Sequence, residues 1–271
     1  MDDALIDDDS LSLARKSVLP GEGFFYPDSL QEERAEREAA DTLADADVVV
    51  VADPDADGLA CVALVRVSHG EGALLPAGPH ELDDALAWVA EYATDAEVYV
   101  CDLCPDSESD LAALPDAVAA VDSITWYDHH QWDIDLAAQV RDAGVELVVG
   151  ESEEVCTADV ALAELGREFE PRHAELAAVT RDHDLWLRED ERSDDLADYA
   201  YWADPEEYIE TVLEHGPDLP AAVQELLAER RVEKEHLIEK AVERASLREV
   251  GPWTVGVTYG RCSQNEVAER L

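Results

Sequence analysis

The chain has 271 residues, of which 66 are Asp or Glu and 19 are Lys or Arg, so its formal net charge is −47. An apolar fraction of 47% argues against wholesale disorder, and no apolar run approaches the 18 residues of a transmembrane helix. Five cysteines at irregular spacing do not form a disulfide pattern and are typical of a reducing compartment. The first residues also lack a basic segment followed by an apolar one, so we expect a cytoplasmic protein with no membrane partner.

The acidic residues are spread along the whole chain, whereas lysine occurs only at positions 16, 234 and 240. Such a surface repels itself in dilute buffer, but in molar salt the Debye length falls to roughly 3 Å and the repulsion is screened. The composition therefore predicts a protein of a salt-rich cytoplasm, such as that of a halophilic archaeon. At that salt concentration a basic patch gains little from counterion release, so the charge does not exclude a nucleic-acid substrate.

The first part of the chain alternates predicted strands and helices after an irregular start over residues 1–26. A surface helix is predicted over 28–43, and the β-branched run 47–52 predicts a buried parallel strand. The elements that follow are a helix (58–67), a short strand (73–76), a helix (81–92), a strand (97–101), a helical stretch broken near Pro115, and two further strands (123–127 and 145–149). This alternation predicts an α/β fold, with a mostly parallel sheet and helices on both of its faces.

The second part is predicted to be helical from about residue 157. The predicted helices are 157–168, 172–181, 191–201, 205–214 and 220–247; a lone strand (253–257) and the start of a helix (264–271) come after them. A lone strand and helix cannot bury a core, so we expect an incomplete second α/β unit there. We divide the chain into an N-terminal segment and helix (1–44), an α/β domain (45–190), a helical connector (191–250) and the start of a truncated domain (251–271).

Acidic clusters follow three of the predicted strands, where ligands bind in open α/β sheets. They are Asp53-Pro54-Asp55-Ala56-Asp57-Gly58, Asp102, and Asp128-His129-His130; a fourth cluster, Asp182-His183-Asp184, ends a predicted helix. Carboxylate and imidazole ligands together suit Mn²⁺, Zn²⁺ or Fe, and several carboxylates can hold two ions that activate water against a phosphoryl group. The clusters therefore predict a shared metal site.

Other interpretations of these residues are weaker. Any single Asp in so acidic a chain can be a solvated surface charge, and Asp-x-Asp-x-Asp-Gly resembles a calcium loop, but Ala63 or Leu64 stands where that loop needs Glu. Cys101 and Cys104 could form a redox or zinc pair, although Cys101 lies on a strand, which favours core packing. Trp132 is a candidate surface for stacking a base.

The ordered set of clusters resembles the four motifs of the DHH phosphoesterase family over about residues 45–190. The run from Asp53 to Gly58 is most similar to the RecJ-like branch of single-strand exonucleases, and the branch that cleaves very short RNAs is a near neighbour. The stretch from Tyr259 to Glu266 resembles the opening of the substrate domain that accompanies the DHH domain.

The resemblance implies two divalent ions, with Mn²⁺ expected and Mg²⁺ as the alternative. It makes Asp55, Asp57, Asp102, His129 and Asp182 metal ligands, with Asp102 bridging the ions. Asp128 would orient the histidines and His130 would contact the phosphate. Val51 stands where family members often carry a His, so Asp53 is expected to supply a compensating ligand. The choice between Asp182 and Asp184 in the fourth motif stays open.

The family likeness implies a metal-dependent phosphodiesterase acting on single-stranded DNA or short RNA. The glycine-rich motif with which the family grips its substrate is missing, so we expect a partner or a missing segment to complete the substrate domain. Two other functions remain open at this point. One is a scaffold that binds replication proteins with little or no catalysis. The other is a small-molecule phosphatase for 3′-phosphoadenosine 5′-phosphate, a cyclic dinucleotide or pyrophosphate.

Overall fold

Five of the described strands form one sheet, in the order Ala73–Pro76, Val48–Ala52, Glu97–Cys101, Ser123–Asp128 and Glu146–Val149. The computed structural model describes residues 28–260, 262 and 264–271. Its strands are β1 (Val48–Ala52), β2 (Ala73–Pro76), β3 (Glu97–Cys101), β4 (Ser123–Asp128), β5 (Glu146–Val149), β6 (Ser246–Val250) and β7 (Trp253–Val257). Its helices are α1 (Asp28–Leu43), α2 (Ala56–His69), α3 (Leu82–Tyr92), α4 (Leu114–Ala120), α5 (Ile134–Asp142), α6 (Thr157–Glu164), α7 (Pro171–Asp184), α8 (Arg192–Trp202), α9 (Pro205–His215), α10 (Ala221–Glu243) and α11 (Gln264–Arg270). The predicted α/β fold with a parallel sheet is confirmed.

The described residues belong to two compact units. The first contains the sheet with α1, α3, α4 and α5, and comprises residues up to Ala52, Glu71–Trp126 and Gln131–Val148. The second comprises Asp53–Gly70, Tyr127–His130 and everything from Val149 onward. No helix in the ranges that the structure describes combines the length and apolar character needed to cross a membrane.

In the first unit, β1 forms parallel pairs with β2 on one side and β3 on the other. All five residues of β1 are buried, because a strand covered on both faces has no solvent side to hold polar residues. The register pairs Ala52 with Cys101, so β1 and β3 end at the same level. The chain therefore leaves both strands at one edge of the sheet, with Asp53 and Asp102 as the next residues.

In the second unit, α2 is the central helix and packs against α6, α7, α8 and α9. Ten of its residues are buried, and it ends at Gly70 in the left-handed conformation that favours glycine. Arg66 in α2 makes two hydrogen bonds to Glu206 in α9, at 2.6 and 2.8 Å, which joins these two helices near the end of α2.

The C-terminal part differs from the sequence prediction. The long helix was predicted to reach residue 247 but ends at Glu243, and Ser246–Val250 forms β6, which pairs antiparallel with β7. The strand over 253–257 is therefore not alone, and that prediction was wrong. Leu247, Arg248 and Glu249 favour helix by propensity, but the pairing with β7 overrides this preference. Gly251 has a φ of +62°, as a tight hairpin turn requires.

The helices between the predicted elements also differ in part from the sequence prediction, and some predicted segments lie outside the described residues. The short helix α5 was not predicted. The helical stretch predicted after residue 101, with a break near Pro115, consists of a 3-10 helix over Glu108–Leu111 and the helix α4. The irregular segment predicted over 1–26 lies outside the described residues. Arg261 and Ser263, in the stretch from Tyr259 to Glu266, lie outside them as well.

Candidate metal centre

The loop after β1, residues 53–58, is called the acid loop here, and it is shaped by its own hydrogen bonds. Asp55 is the N-cap of α2, and its Oδ1 accepts from the backbone N–H of Asp57 at 2.9 Å and of Gly58 at 3.0 Å. A Cβ at position 58 would collide with the carbonyl oxygen of Asp53, so only glycine allows the helix to start there. The loop thus delivers Asp57 into the second unit, where its side chain is 1% exposed.

Asp57 lies at the N-terminus of α6. Its two carboxylate oxygens accept from the backbone N–H groups of Thr157 at 2.7 Å and Ala158 at 2.9 Å. A helix N-terminus favours a carboxylate, yet the pKa of Asp57 is raised from its ordinary value to about 7. Burial is the main cause, and the negative charges of Asp184 and Asp55 add to it. The two hydrogen bonds therefore fix the position of the Asp57 carboxylate but do not offset the cost of burying its negative charge.

His129 and the partly exposed Asp184 complete a largely buried group with Asp57. The Nε2 of His129 lies 3.2 Å from Oδ2 of Asp184 and 4.0 Å from Oδ2 of Asp57. One potential ligand atom from each of the three residues lies within 4.8 Å of the others. The pKa of Asp184 is raised to about 6, mainly by burial and then by the charge of Asp55. Two carboxylates are therefore held close together in a poorly solvated place, beside one imidazole.

Asp128 organises the two histidines that follow it. It is fully buried, and its Oδ1 accepts from the backbone N–H of His129 at 2.8 Å and lies 2.7 Å from Nδ1 of His130. The bond to Asp128 is the main reason that the pKa of His130 is raised, although partial burial opposes it. One ring nitrogen of His130 is thus fixed and its ring is half exposed, while the role of Asp128 in orienting metal-bound histidines stays a prediction.

Asp182 has different contacts from Asp184, although only two residues separate them. Its carboxylate accepts from the backbone N–H groups of Glu189 at 2.8 Å and Asp190 at 3.2 Å, and from the Ser193 hydroxyl at 2.7 Å. Burial raises the pKa of Asp182, but these three bonds outweigh burial, so that the pKa is lowered overall. Asp182 closes the turn after α7, and among the described residues Asp184 is the aspartate of that turn grouped with His129.

The turn that Asp182 closes has an unusual backbone. Trp186 and Arg188 both have a φ of +56°, a conformation that costs free energy for residues with a side chain. Trp186 is 44% exposed and stacks on His183, so it lies at the surface. Trp126 is fully buried, and Trp132 packs edge-on against it with ring centroids 5.3 Å apart.

The remaining predicted ligands are Asp102, Asp55 and Asp53. Asp102 directly follows β3 in the first unit, is 5% exposed and has a φ of +58°, which Asp tolerates better than most residues. Asp55 is used as the cap of α2, and its charge acts on both Asp57 and Asp184. Asp53 is partly exposed, and its contribution to a metal site stays a prediction.

The group of Asp57, His129 and Asp184 fits a divalent cation. Two carboxylates whose pKa values are raised by burial and by neighbouring negative charge need a positive charge nearby, and an imidazole with two carboxylates is a donor set that Mn²⁺, Zn²⁺ and Fe accept. Sequence reasoning named Asp57 and His129 but did not choose Asp184. The signal available for Asp184 was its place in the Asp182-His183-Asp184 cluster, which did not distinguish the two aspartates.

No protein-family model and no curated protein matches this sequence. Among solved structures, the chain is similar to an uncharacterised protein from Helicobacter pylori G27, with 14% identity, a TM-score of 0.51 and coverage of 70% of this chain. It spans 62% of the length of that protein. It is similar to the DHH domain of a member of a ribosomal protein family, with 14% identity, a TM-score of 0.53, and coverage of 86% of this chain and 67% of the other.

A third similar structure is the exonuclease RecJ bound to manganese, with 18% identity, a TM-score of 0.48, and coverage of 78% of this chain and 70% of that one. At these identities the first two likenesses show a shared fold, and one of those two structures is described as a DHH domain.

Proposed function

We propose that this chain is a metal-dependent phosphoesterase that hydrolyses phosphodiester bonds of single-stranded nucleic acid or short oligonucleotides. The observation that carries the proposal is the largely buried group of Asp57, His129 and Asp184, whose ligand atoms lie within 4.8 Å of one another. The DHH-domain fold and the ordered motifs in the sequence support the same reaction class. The substrate class rests on the similarity of the acid loop to that of RecJ-like exonucleases.

In this proposal Asp57, His129 and Asp184 hold one divalent ion, with Asp102 and the acid-loop residues Asp53 and Asp55 as ligands for a second. Mn²⁺ is the proposed metal and Mg²⁺ the alternative. Such a pair of ions polarises the phosphoryl group and lowers the pKa of water. The protein contributes fixed carboxylates: both oxygens of Asp57 are anchored by the N-terminus of α6, so the group needs no reorganisation when the ion binds.

His130 is proposed to contact the phosphate. Its Nδ1 is fixed by the 2.7 Å contact with Asp128, which leaves Nε2 as the ring nitrogen that can turn toward a substrate oxygen. The bond to Asp128 raises the pKa of His130, so the protonated ring, in which Nε2 is a donor, persists to a higher pH than in a free imidazole. A phosphate oxygen that gains negative charge during the reaction is the acceptor such a donor would stabilise.

The test is Mn²⁺-dependent hydrolysis in molar KCl, since salt is needed to screen a net charge of −47. The substrates are 5′-labelled single-stranded DNA, a short RNA and 3′-phosphoadenosine 5′-phosphate. Asp102→Ala and His129→Ala are expected to abolish turnover, whereas Asp116→Asn, an exposed position on α4, should leave it unchanged. Hydrolysis of the small molecule alone would redirect the proposal to a phosphatase. Absence of all turnover by the Mn²⁺-loaded protein would overturn catalysis and favour a scaffold that binds replication proteins.

A further inference from the structure

The first turn of α6 holds Asp57, and this turn is itself fixed by a second aspartate. The backbone N–H groups of Thr157 and Ala158 donate to the two carboxylate oxygens of Asp57. The N–H of Cys156, the N-cap of the same helix, donates to Oδ2 of Asp159 at 3.2 Å. Asp159 thus closes the first turn of α6 in the manner of a capping box. The position of the Asp57 carboxylate therefore depends on how firmly Asp159 is held.

Arg181, on the neighbouring helix α7, holds Asp159. Its Nη1 donates to both carboxylate oxygens, at 2.8 Å to Oδ1 and 2.9 Å to Oδ2. The side chains are 32% and 16% exposed, so water screens this ion pair less than it screens pairs on the open surface. Cys156 makes a second link between the helices, because its Sγ lies 3.8 Å from the carbonyl oxygen of Ala177 in α7. The start of α6 is therefore joined to α7 at two points.

Arg181 also lies one helical turn before Asp184, the second carboxylate of the proposed metal site. Residues three apart in a helix are neighbours on one side of it. Contacts therefore run from Asp57 through the start of α6 to Arg181, and along the last turn of α7 to Asp184. The negative charges of Asp57 and Asp184 repel each other. The ion pair joins, from outside the group, the two helix segments that hold these carboxylates.

We propose that Arg181 is a positioning residue of the metal site. Through its ion pair with Asp159 it fixes the start of α6 to α7, and so keeps Asp57 and Asp184 close together against their repulsion before an ion binds. A site that is arranged in advance binds more tightly, because binding then includes no cost of arranging it. This inference rests on the proposed function, since it needs a divalent ion to be held by Asp57, His129 and Asp184.

The positive charge of Arg181 gives this role a distinctive sign. A cation near a metal site repels the metal ion, so an arginine that acted only through its charge would weaken Mn²⁺ binding. Its replacement by an uncharged residue would then strengthen binding. An arginine that served only the stability of the fold would leave Mn²⁺ affinity unchanged. A positioning role predicts weaker binding after replacement, because loss of the ion pair frees the start of α6.

The experiment compares Arg181→Met with Arg231→Met in molar KCl. Arg231 is the matched control, an arginine of the same unit that pairs with Asp195 and Asp198. Calorimetry should show that Arg181→Met binds Mn²⁺ about 10-fold more weakly than the wild type, an effect typical of groups that orient metal ligands from outside. Arg231→Met should bind Mn²⁺ as the wild type does. The melting temperatures of both metal-free variants, measured in EDTA, should fall, since each variant loses an ion pair.

A double substitution tests the route through Asp159. The ion pair is already lost in Asp159→Asn, so the further change Arg181→Met should cause no additional loss of Mn²⁺ affinity. Losses that add in the double variant would overturn the proposal. Unchanged or tighter Mn²⁺ binding by Arg181→Met would overturn it as well, as would an equal loss in Arg231→Met.

Two further outcomes are separated by their controls. If Arg181→Met does not fold, Arg181→Gln, which keeps a hydrogen-bond donor, makes the same comparison. Failure of both variants to fold would assign the ion pair to the fold as a whole and overturn the proposal. If the wild-type chain itself binds no Mn²⁺, the proposed function fails and this role for Arg181 fails with it. The wild-type titration therefore distinguishes failure of the function from failure of this assignment alone.

Discussion

Two buried acidic regions of the second unit are neutralised in different ways. Asp198 is 8% exposed and is held by Lys234 at 2.6 Å and by Arg231 at 3.1 Å. Asp57 is more deeply buried, at 1% exposed, but within the described residues its ion-pair partner is His129 at 4.0 Å rather than Lys or Arg. Burying a carboxylate demands a compensating charge. The chain uses two of its scarce cations at Asp198. In the proposed function, a divalent ion would supply the compensating charge for the group around Asp57.

The same contrast separates two aspartates of a single turn. Asp182 has three hydrogen-bond donors and a lowered pKa, whereas the nearby Asp184 faces other carboxylates and has a raised one. An aspartate that stabilises the fold should find its hydrogen-bond donors or cations within the protein. An aspartate that binds a metal should instead lack a compensating positive charge until the ion is bound. Substitution of each class tests this distinction.

The largest effect is expected from Asp184→Asn. The amide keeps the size of the side chain but removes the charge that a divalent ion needs, so turnover should fall about a thousand-fold, equivalent to about 4 kcal/mol of transition-state stabilisation. Steady-state hydrolysis with Mn²⁺ in molar KCl measures this. Circular dichroism should show an intact fold. Turnover within about ten-fold of wild type, or about 1.4 kcal/mol, would remove Asp184 from the proposed site.

Asp182→Asn should act on stability. It weakens the charge-assisted bonds from Glu189, Asp190 and Ser193, and bonds to a charged group contribute about 2 kcal/mol. Denaturant unfolding of the metal-free protein measures the loss, with Asp116→Asn as the matched control on an exposed position. An unchanged free energy of unfolding would mean that Asp182 does not close the turn as the structure indicates.

These two aspartates also mark what the sequence could and could not predict. The valine-rich run of β1 and the acidic residues after β1, β3 and β4 identify the sheet and its functional edge, because strand burial and strand ends are local features. The choice of Asp184 depends on how α7 ends in a turn with Trp186 at positive φ, which no local pattern encodes.

The hairpin of β6 and β7 failed to be predicted for a related reason. Residues 246–250 have helix-favouring members, and only their partners in β7, farther along the chain, convert them to a strand. Tertiary contacts determine both the position of Asp184 and the pairing of β6 with β7, and the pattern of charges in the sequence predicts neither.

Asp198→Asn tests the region that the chain neutralises with its own cations. The substitution leaves Lys234 and Arg231 without their shared carboxylate, but Arg231 is 46% exposed, so solvent compensates part of the loss. We expect a decrease of about 1 kcal/mol in the free energy of unfolding, with turnover per folded molecule unchanged. A parallel fall in Mn²⁺ affinity would show that the region around Asp198 and the group around Asp57 are coupled and not independent.

The smallest expected effect concerns the pH dependence of the free energy of unfolding, compared between the metal-free wild type and metal-free Asp184→Asn. The pKa values of Asp57 and Asp184 are raised to about 7 and about 6, so the folded state keeps protons that the unfolded state has lost. Stability contributed by this pair is therefore present near pH 4 and is lost as the pH rises through about 7. Asp184→Asn removes one carboxyl group and the repulsion felt by the other. The free energy of unfolding of this variant should therefore change less with pH than that of the wild type.

The rest of the acidic surface titrates alike in both proteins, so the difference between their free energies of unfolding isolates the pair. It should be near zero at about pH 4 and favour Asp184→Asn by an amount on the order of 1 kcal/mol at about pH 8. Denaturant unfolding in EDTA and molar KCl at each pH gives this difference. A difference that does not change with pH would mean that Asp57 and Asp184 do not repel each other. The metal-free site would then lack the unmet demand for positive charge that distinguishes it from Asp198.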